Sequence, residues 1–117
     1  MKESPIFSKT YELLQWIIQT TVKFPRQHRF VLAESLQKSA LALYEYLLQS
    51  VLITANVQNT LVLADCELAK IRMKLRLCLD LELYTIAQYE HVGKLVRDIG
   101  NMLGKWRTSV AKSVNRG

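Results

Sequence analysis

An apolar residue returns at alternating steps of three and four through Ile86, Tyr89, Val92, Val96, Ile99, Leu103, Trp106 and Val110. At about 100° per residue, only a helix brings that spacing onto one stripe. A long helix with one apolar face must bury that face against other helices, because tertiary packing supplies most of its stability. Thr85 with Gln88 three residues on is a capping-box pattern and marks where this helix starts. The segment therefore demands a bundle.

The remaining chain supplies the partners, and its few breaks count them. There are 2 prolines and 4 glycines in 117 residues, too few for a loop-rich fold. The spacing predicts a first helix over residues 8–23, with Leu14, Ile17, Ile18 and Thr21 on its buried face. Pro25 ends it by pushing Phe24 out of the helical region. The same proline is expected to open a second helix over 25–54 as its first residue, with Leu32, Leu36, Ala40, Leu43, Leu47 and Val51 as the stripe. A turn-like stretch at 56–59 leads into a third helix over 57–81, with Leu68, Ile71, Leu75, Cys78 and Leu79 facing inward. The fourth helix is expected over 86–112, with the tail beyond free to fray. Connections this short force antiparallel neighbours. The expected fold is all-α, an up-down-up-down four-helix bundle in one domain spanning 1–117.

Catalytic constellations are scarce. Asp65, Glu67, Asp80 and Glu82 scatter around the third helix, Glu90-His91 lacks zinc spacing, and no Glu-x-x-His motif, glycine-rich phosphate loop or activated nucleophile occurs. His28 and His91 with Cys66 and Cys78 make no metal-ligand pattern. The two cysteines, twelve residues apart on one helix, are too distant to bridge and read as packing residues in a reducing compartment. Residues 1–5 carry charge and no apolar run, so no signal peptide is expected, and without a stretch of 18 uncharged apolar residues no membrane segment is expected either. The expectation is a cytoplasmic protein without cofactor, metal or enzymatic activity.

The positive charge is better organised. The formal net charge is +6, which favours polyanionic partners. In Lys70-Ile71-Arg72-Met73-Lys74-Leu75-Arg76 no acid falls inside the run. On a helix Lys70 and Lys74 form one column and Arg72 and Arg76 another, with Ile71 and Leu75 between them. Arg26 and Arg29 follow Pro25, with Lys23 just before it. Lys94, Lys105 and Lys112 align on one side of the fourth helix, flanked by Arg97 and Arg107. Such charges bind phosphates by releasing counterions, without reading sequence. No aromatic ladder accompanies them, so sequence-specific single-strand recognition is not expected.

The middle helices carry more apolar surface than a lone bundle needs. Val62, Cys66, Ala69, Met73 and Leu77 lie opposite the core stripe of the third helix, and Phe30, Leu41, Tyr44, Leu48 and Leu52 lie away from the core on the second. Contiguous rows of this kind point to a subunit interface. A column of small residues, Gly93, Gly100, Gly104 and Ala111, suggests close backbone approach, either within the bundle or between subunits.

Four stretches carry a family resemblance: Phe-Pro-Arg-Gln-His-Arg-Phe at 24–30, Ile-Arg-Met-Lys-Leu-Arg-Leu at 71–77, Gln88-Tyr89-Glu90, and Ile-Gly-Asn-Met-Leu-Gly-Lys-Trp at 99–106. Over roughly residues 8–112 the chain resembles the accessory variability determinant (Avd) proteins, which accompany the reverse transcriptases of diversity-generating retroelements. The resemblance implies a bundle protomer in a basic, barrel-like homopentamer. It further implies binding to the retroelement reverse transcriptase, to RNA and to DNA, in support of mutagenic copying of template RNA into cDNA (mutagenic retrohoming). Arg72 and Arg76 match the family's basic run, and Arg26 matches the arginine after the helix-one proline. The alternatives are a structural interaction protein with no retroelement role, its basic surface incidental, and a related bundle family encoded by sequences intervening in bacterial 23S ribosomal RNA genes. The chain departs from the 23S intervening-sequence group by lacking its Asn-Ile-Ala-Glu-Gly-like stretch in the second helix.

Overall fold

A proline at the first helical position costs nothing, since its missing N–H is one that no helix satisfies. In the computed structural model, which describes residues 4–116 with side chains through Val114, α1 accordingly spans Pro5–Thr21. Starting three residues earlier than expected brings Ile6 and Phe7 into the core with Thr10, Leu13, Ile17 and Thr21. The buried face is rotated relative to the expected one, and Ile18 is exposed.

The expected unbroken second helix is three pieces. Pro25 is extended (φ −55°, ψ 149°) and not helical, so it serves as the corner itself. A 3₁₀ turn at Arg26–His28 and one π turn at Arg29–Ala33 follow, and regular α2 covers only Glu34–Leu52. The Arg29 Nε donates to the Phe24 carbonyl at 3.2 Å, holding this corner closed. The wider π turn buries Leu32 and Ala33 while leaving Phe30 and Val31 in solvent.

Asn56, in the left-handed region at φ 60°, reverses the chain into α3, Val57–Asp80. Its far end closes by a Schellman motif: the Leu83 N–H donates to the Cys78 carbonyl at 2.8 Å and the Glu82 N–H to the Leu79 carbonyl at 3.0 Å. The motif needs a left-handed residue, and Glu82 fills it at φ 61°. For a residue with a Cβ that conformation costs about 1–2 kcal/mol. Glu82→Gly is therefore expected to stabilise the fold by about 0.5–1 kcal/mol, the relief being partly offset by a freer unfolded chain. A denaturant midpoint that falls on this substitution would contradict the assignment.

The capping box forms as the sequence suggests. The Gln88 N–H donates to Thr85 Oγ1 at 3.1 Å and the Thr85 N–H to Gln88 Oε1 at 2.9 Å. From there α4 runs Ile86–Arg116, past the expected end near 112. Val92, Leu95, Val96, Ile99 and Leu103 are buried, with Tyr89, Trp106 and Val110 packed at the margin. Ile86 is exposed, because Tyr84 already fills that end of the core against Phe24 and Trp16.

Each helix packs against two neighbours, α1 on α2 and α4, and α3 on α2 and α4, in a body 51 × 24 × 24 Å. Leu13, Ile17, Leu36, Leu43, Leu47, Leu61, Leu68, Ile71, Ile99 and Leu103 fill its axis. Among the described residues there is no strand, and no helix is long and apolar enough to cross a membrane.

Candidate nucleic-acid interface

The geometry of α3 decides where the charge goes. Leu61, Ala64, Leu68, Ile71, Leu75 and Cys78 fill the core side, and the outer row of Val62, Cys66, Ala69, Met73 and Leu77 is exposed opposite them. The two basic columns lie on the flanks between these stripes, so they fall into different grooves.

The lysine column faces α2. The Lys74 ammonium donates to Ser39 Oγ at 2.7 Å and to the Ser35 carbonyl at 3.3 Å, and burial holds its pKa below the usual lysine range. Lys70 pairs with Glu67 at 3.0 Å, one turn back, which raises its pKa. Both line an α2–α3 groove of about 420 Å³ together with Lys38, Glu34, Glu67 and Phe30. Lys38 pairs with Glu34 at 2.9 Å, so this groove is close to charge-balanced.

The arginine column faces α4. Arg76 pairs with Asp80 at 3.1 Å. Although no acid falls inside the basic run, Glu67 and Asp80, just outside it, each bind one of its cations. Arg72 has no ion-pair partner among the described residues. Its guanidinium lies over Gly100, where an added Cβ would stand 2.6 Å from Arg72 Nη2. Beside it Arg97, likewise without an ion-pair partner among the described residues, lines the same α3–α4 cavity of about 370 Å³, with Tyr89 and Asn101 as polar walls and Leu75 and Val96 as apolar lining. Among the described residues no carboxylate lines it. A shallower recess continues along α4 past Asn101, Lys105, Thr108 and Lys112, and Lys94 is exposed on the same helix.

The other expected phosphate ligands separate from this groove. Arg107 is turned to Asp65 of α3, bridging the two helices. Arg26 and Arg29 stand at the corner after α1, and Arg29 spends its Nε on the Phe24 carbonyl. The structure brings Arg72 together with Arg97, Tyr89 and Asn101, a grouping that composition and charge runs do not reveal. The signal available in sequence is the spacing of Gly93, Arg97, Gly100 and Asn101, which puts all four on one side of a helix.

The small-residue column is used for packing inside the chain at Gly100, under Arg72 and beside Leu68, but not at its other two described glycines. A Cβ at Gly93 or Gly104 would meet nothing within 4 Å. The apolar rows also change shape. Leu41, Leu48 and Leu52 are exposed, but Tyr44 packs edge-on against Phe7 and Tyr11 within the bundle. Phe30, 81 % exposed, lines the lysine groove beside α3 and does not continue the line of Leu41 and Leu48. Cys66 is exposed and Cys78 buried, both as free thiols. Among the described residues no three His, Cys, Asp or Glu side chains gather where they could hold a metal ion.

Residues 5–110 match a protein family described as bAvd-like. Among solved structures, the chain is similar to the crystal structure of a protein of unknown function from the S23 ribosomal protein family of Bacteroides thetaiotaomicron, with a TM-score of 0.80 and 18 % sequence identity. That alignment covers 88 % of this chain and 95 % of the other, and at this identity it shows a shared fold. No curated protein sequence matches the chain.

Proposed function

The chain belongs to the bAvd-like family, and from that membership we propose that it is a non-catalytic, nucleic-acid-binding accessory subunit of a retroelement reverse transcriptase. The observation that carries the reading is the α3–α4 groove, where, among the described residues, no acid lines the wall and Arg72 and Arg97 stand without carboxylate partners. Two guanidinium forks on one rim suit phosphate oxygens, which they bind in bidentate fashion. Lys94, Lys105 and Lys112 extend the positive track along α4. The subunit would hold template RNA or cDNA by phosphate contacts, tolerant of sequence, while the polymerase docks on another face.

In this reading the outer rows close a homo-oligomer, a pentamer in the manner the resemblance implies. Met73 is 57 % exposed in the single chain, at the middle of the α3 row, which is costly for a long apolar side chain left in water. Replacing Met73 and Leu77 by glutamate is expected to convert an oligomer to a 13.5 kDa monomer with unchanged helicity, as read by sedimentation and circular dichroism. A wild-type chain that sediments as a monomer would remove the ring from the proposal.

Nucleic-acid binding is tested by titrating RNA and DNA across salt concentrations. The expected result is sequence-tolerant binding whose logarithmic salt slope is about −0.7 per phosphate contacted on a single strand. No binding of either polymer at low salt would overturn the proposal.

A further inference from the structure

The α3–α4 cavity differs in kind from the rest of the positive surface. Lys94, Lys105 and Lys112 are exposed side chains along one helix, sufficient for a phosphate backbone of any form. Between α3 and α4 the surface is instead recessed, with two guanidinium groups that have no ion-pair partner among the described residues, beside an apolar lining of Leu75 and Val96, a half-buried tyrosine ring at Tyr89 and an amide at Asn101. Its volume of about 370 Å³ falls at the small end of ligand pockets, about 300–1,000 Å³. Gly93 lines the recess, and a Cβ there would meet nothing within 4 Å.

We propose that this recess receives an unstacked base of a single-stranded nucleic acid, its flanking phosphates held by Arg72 and Arg97. The inference rests on the nucleic-acid reading above and adds the form of the ligand. A duplex keeps its bases stacked inside and offers phosphates on a stiff convex surface, which cannot enter a recess of this size. A single strand can turn a base out, place its flat face against Tyr89 and the apolar lining, and present its edge to the Asn101 amide. One such contact discriminates strand from duplex without discriminating sequence, since every base has a flat face.

Gly93→Leu tests this without altering any charge. The substitution fills the recess from a position where the chain has room, in a helix interior where leucine is favoured over glycine. The expected result is an about tenfold loss of affinity for short single-stranded RNA, with duplex affinity and salt slope unchanged. A second measurement needs no variant: a strand of equal phosphate number containing abasic sites should bind the native protein about tenfold more weakly than the intact strand. A large excess of free nucleoside monophosphate should fail to displace the strand. Equal binding of abasic and intact strands, an unaffected Gly93→Leu variant, or full displacement by the mononucleotide would each overturn the inference. In those cases duplex and strand still bind, and the proposed function stands. If neither binds at low salt, both readings fall together.

Discussion

Replacing Arg72 and Arg97 together by alanine is expected to lower affinity for single-stranded RNA at low salt by about tenfold to a hundredfold. The logarithmic salt slope should flatten by about 1.4 units, the contribution of two phosphate contacts on a single strand. Stability and helicity should hold, because neither guanidinium is committed to a carboxylate among the described residues. This separates the pair from their basic neighbours. Removing Arg107 strands Asp65 on α3, and removing Lys74 leaves Ser35 and Ser39 of α2 without their α3 donor. Both of those changes should act on stability as well as on charge. A double variant at 72 and 97 that binds with the native slope would show that the groove is not where phosphate sits.

Alkaline unfolding is the other large effect. Burial pushes the Cys78 thiol from an ordinary value of 9.0 up to about 11, and the Tyr84 phenol from 10.0 up to about 12. In both cases the folded state keeps its proton more tightly than the unfolded chain does. The contribution of these two groups is therefore fully present below about pH 9 and is lost as pH rises through the folded values, since the unfolded chain releases protons that the native state retains. Both shifts run in the same direction, so the two losses add as pH rises. Lys74 works in the opposite sense: burial lowers its pKa, so deprotonating it in this range returns some stability. Denaturant midpoints measured from about pH 8 to about pH 11.5 should fall steeply. Cys78→Ala should lower stability at neutral pH by creating a cavity, yet shift the onset of the alkaline loss upward. A midpoint that stays level across this interval would contradict the burial of these two groups.

Much of the bundle is legible in sequence, for reasons specific to each element. In α4 the stripe repeats over many turns and begins at a capping box, so local and tertiary signals agree. In α1 the phase depends on where counting begins. Starting at Ser8 omits Ile6 and Phe7, and the Ile6, Thr10, Leu13, Ile17 face goes unseen. The corner after α1 is illegible because Pro25 is compatible with both a helix start and an extended residue, and tertiary closure over Phe24 decides between them. For the site, helical geometry separates the lysine and arginine columns correctly. It cannot say that one meets α2 and the other α4, which depends on how the four helices are arranged around the core. The pairing of Lys70 with Glu67 and of Arg76 with Asp80 is local, at spacings of three and four, and is readable directly. The partnership of Arg72 with Arg97 crosses between helices and is not.

The π turn at Arg29–Ala33 has a consequence for how this chain can vary. A π turn holds one more residue than the α turn it replaces, so the corner stores a single residue of slack beside an otherwise regular helix. Deleting one residue from that turn would take up the slack and wind it into regular α-helix, while the segments on either side keep their bearing about the axis. Leu36, Leu43 and Leu47, which lie beyond the turn, would keep their places in the core, and Arg26 before it would keep its own. The corner can therefore lose a single codon with the scaffold undisturbed, whereas the same loss inside regular α2 would turn one part of the helix by about 100° against the other.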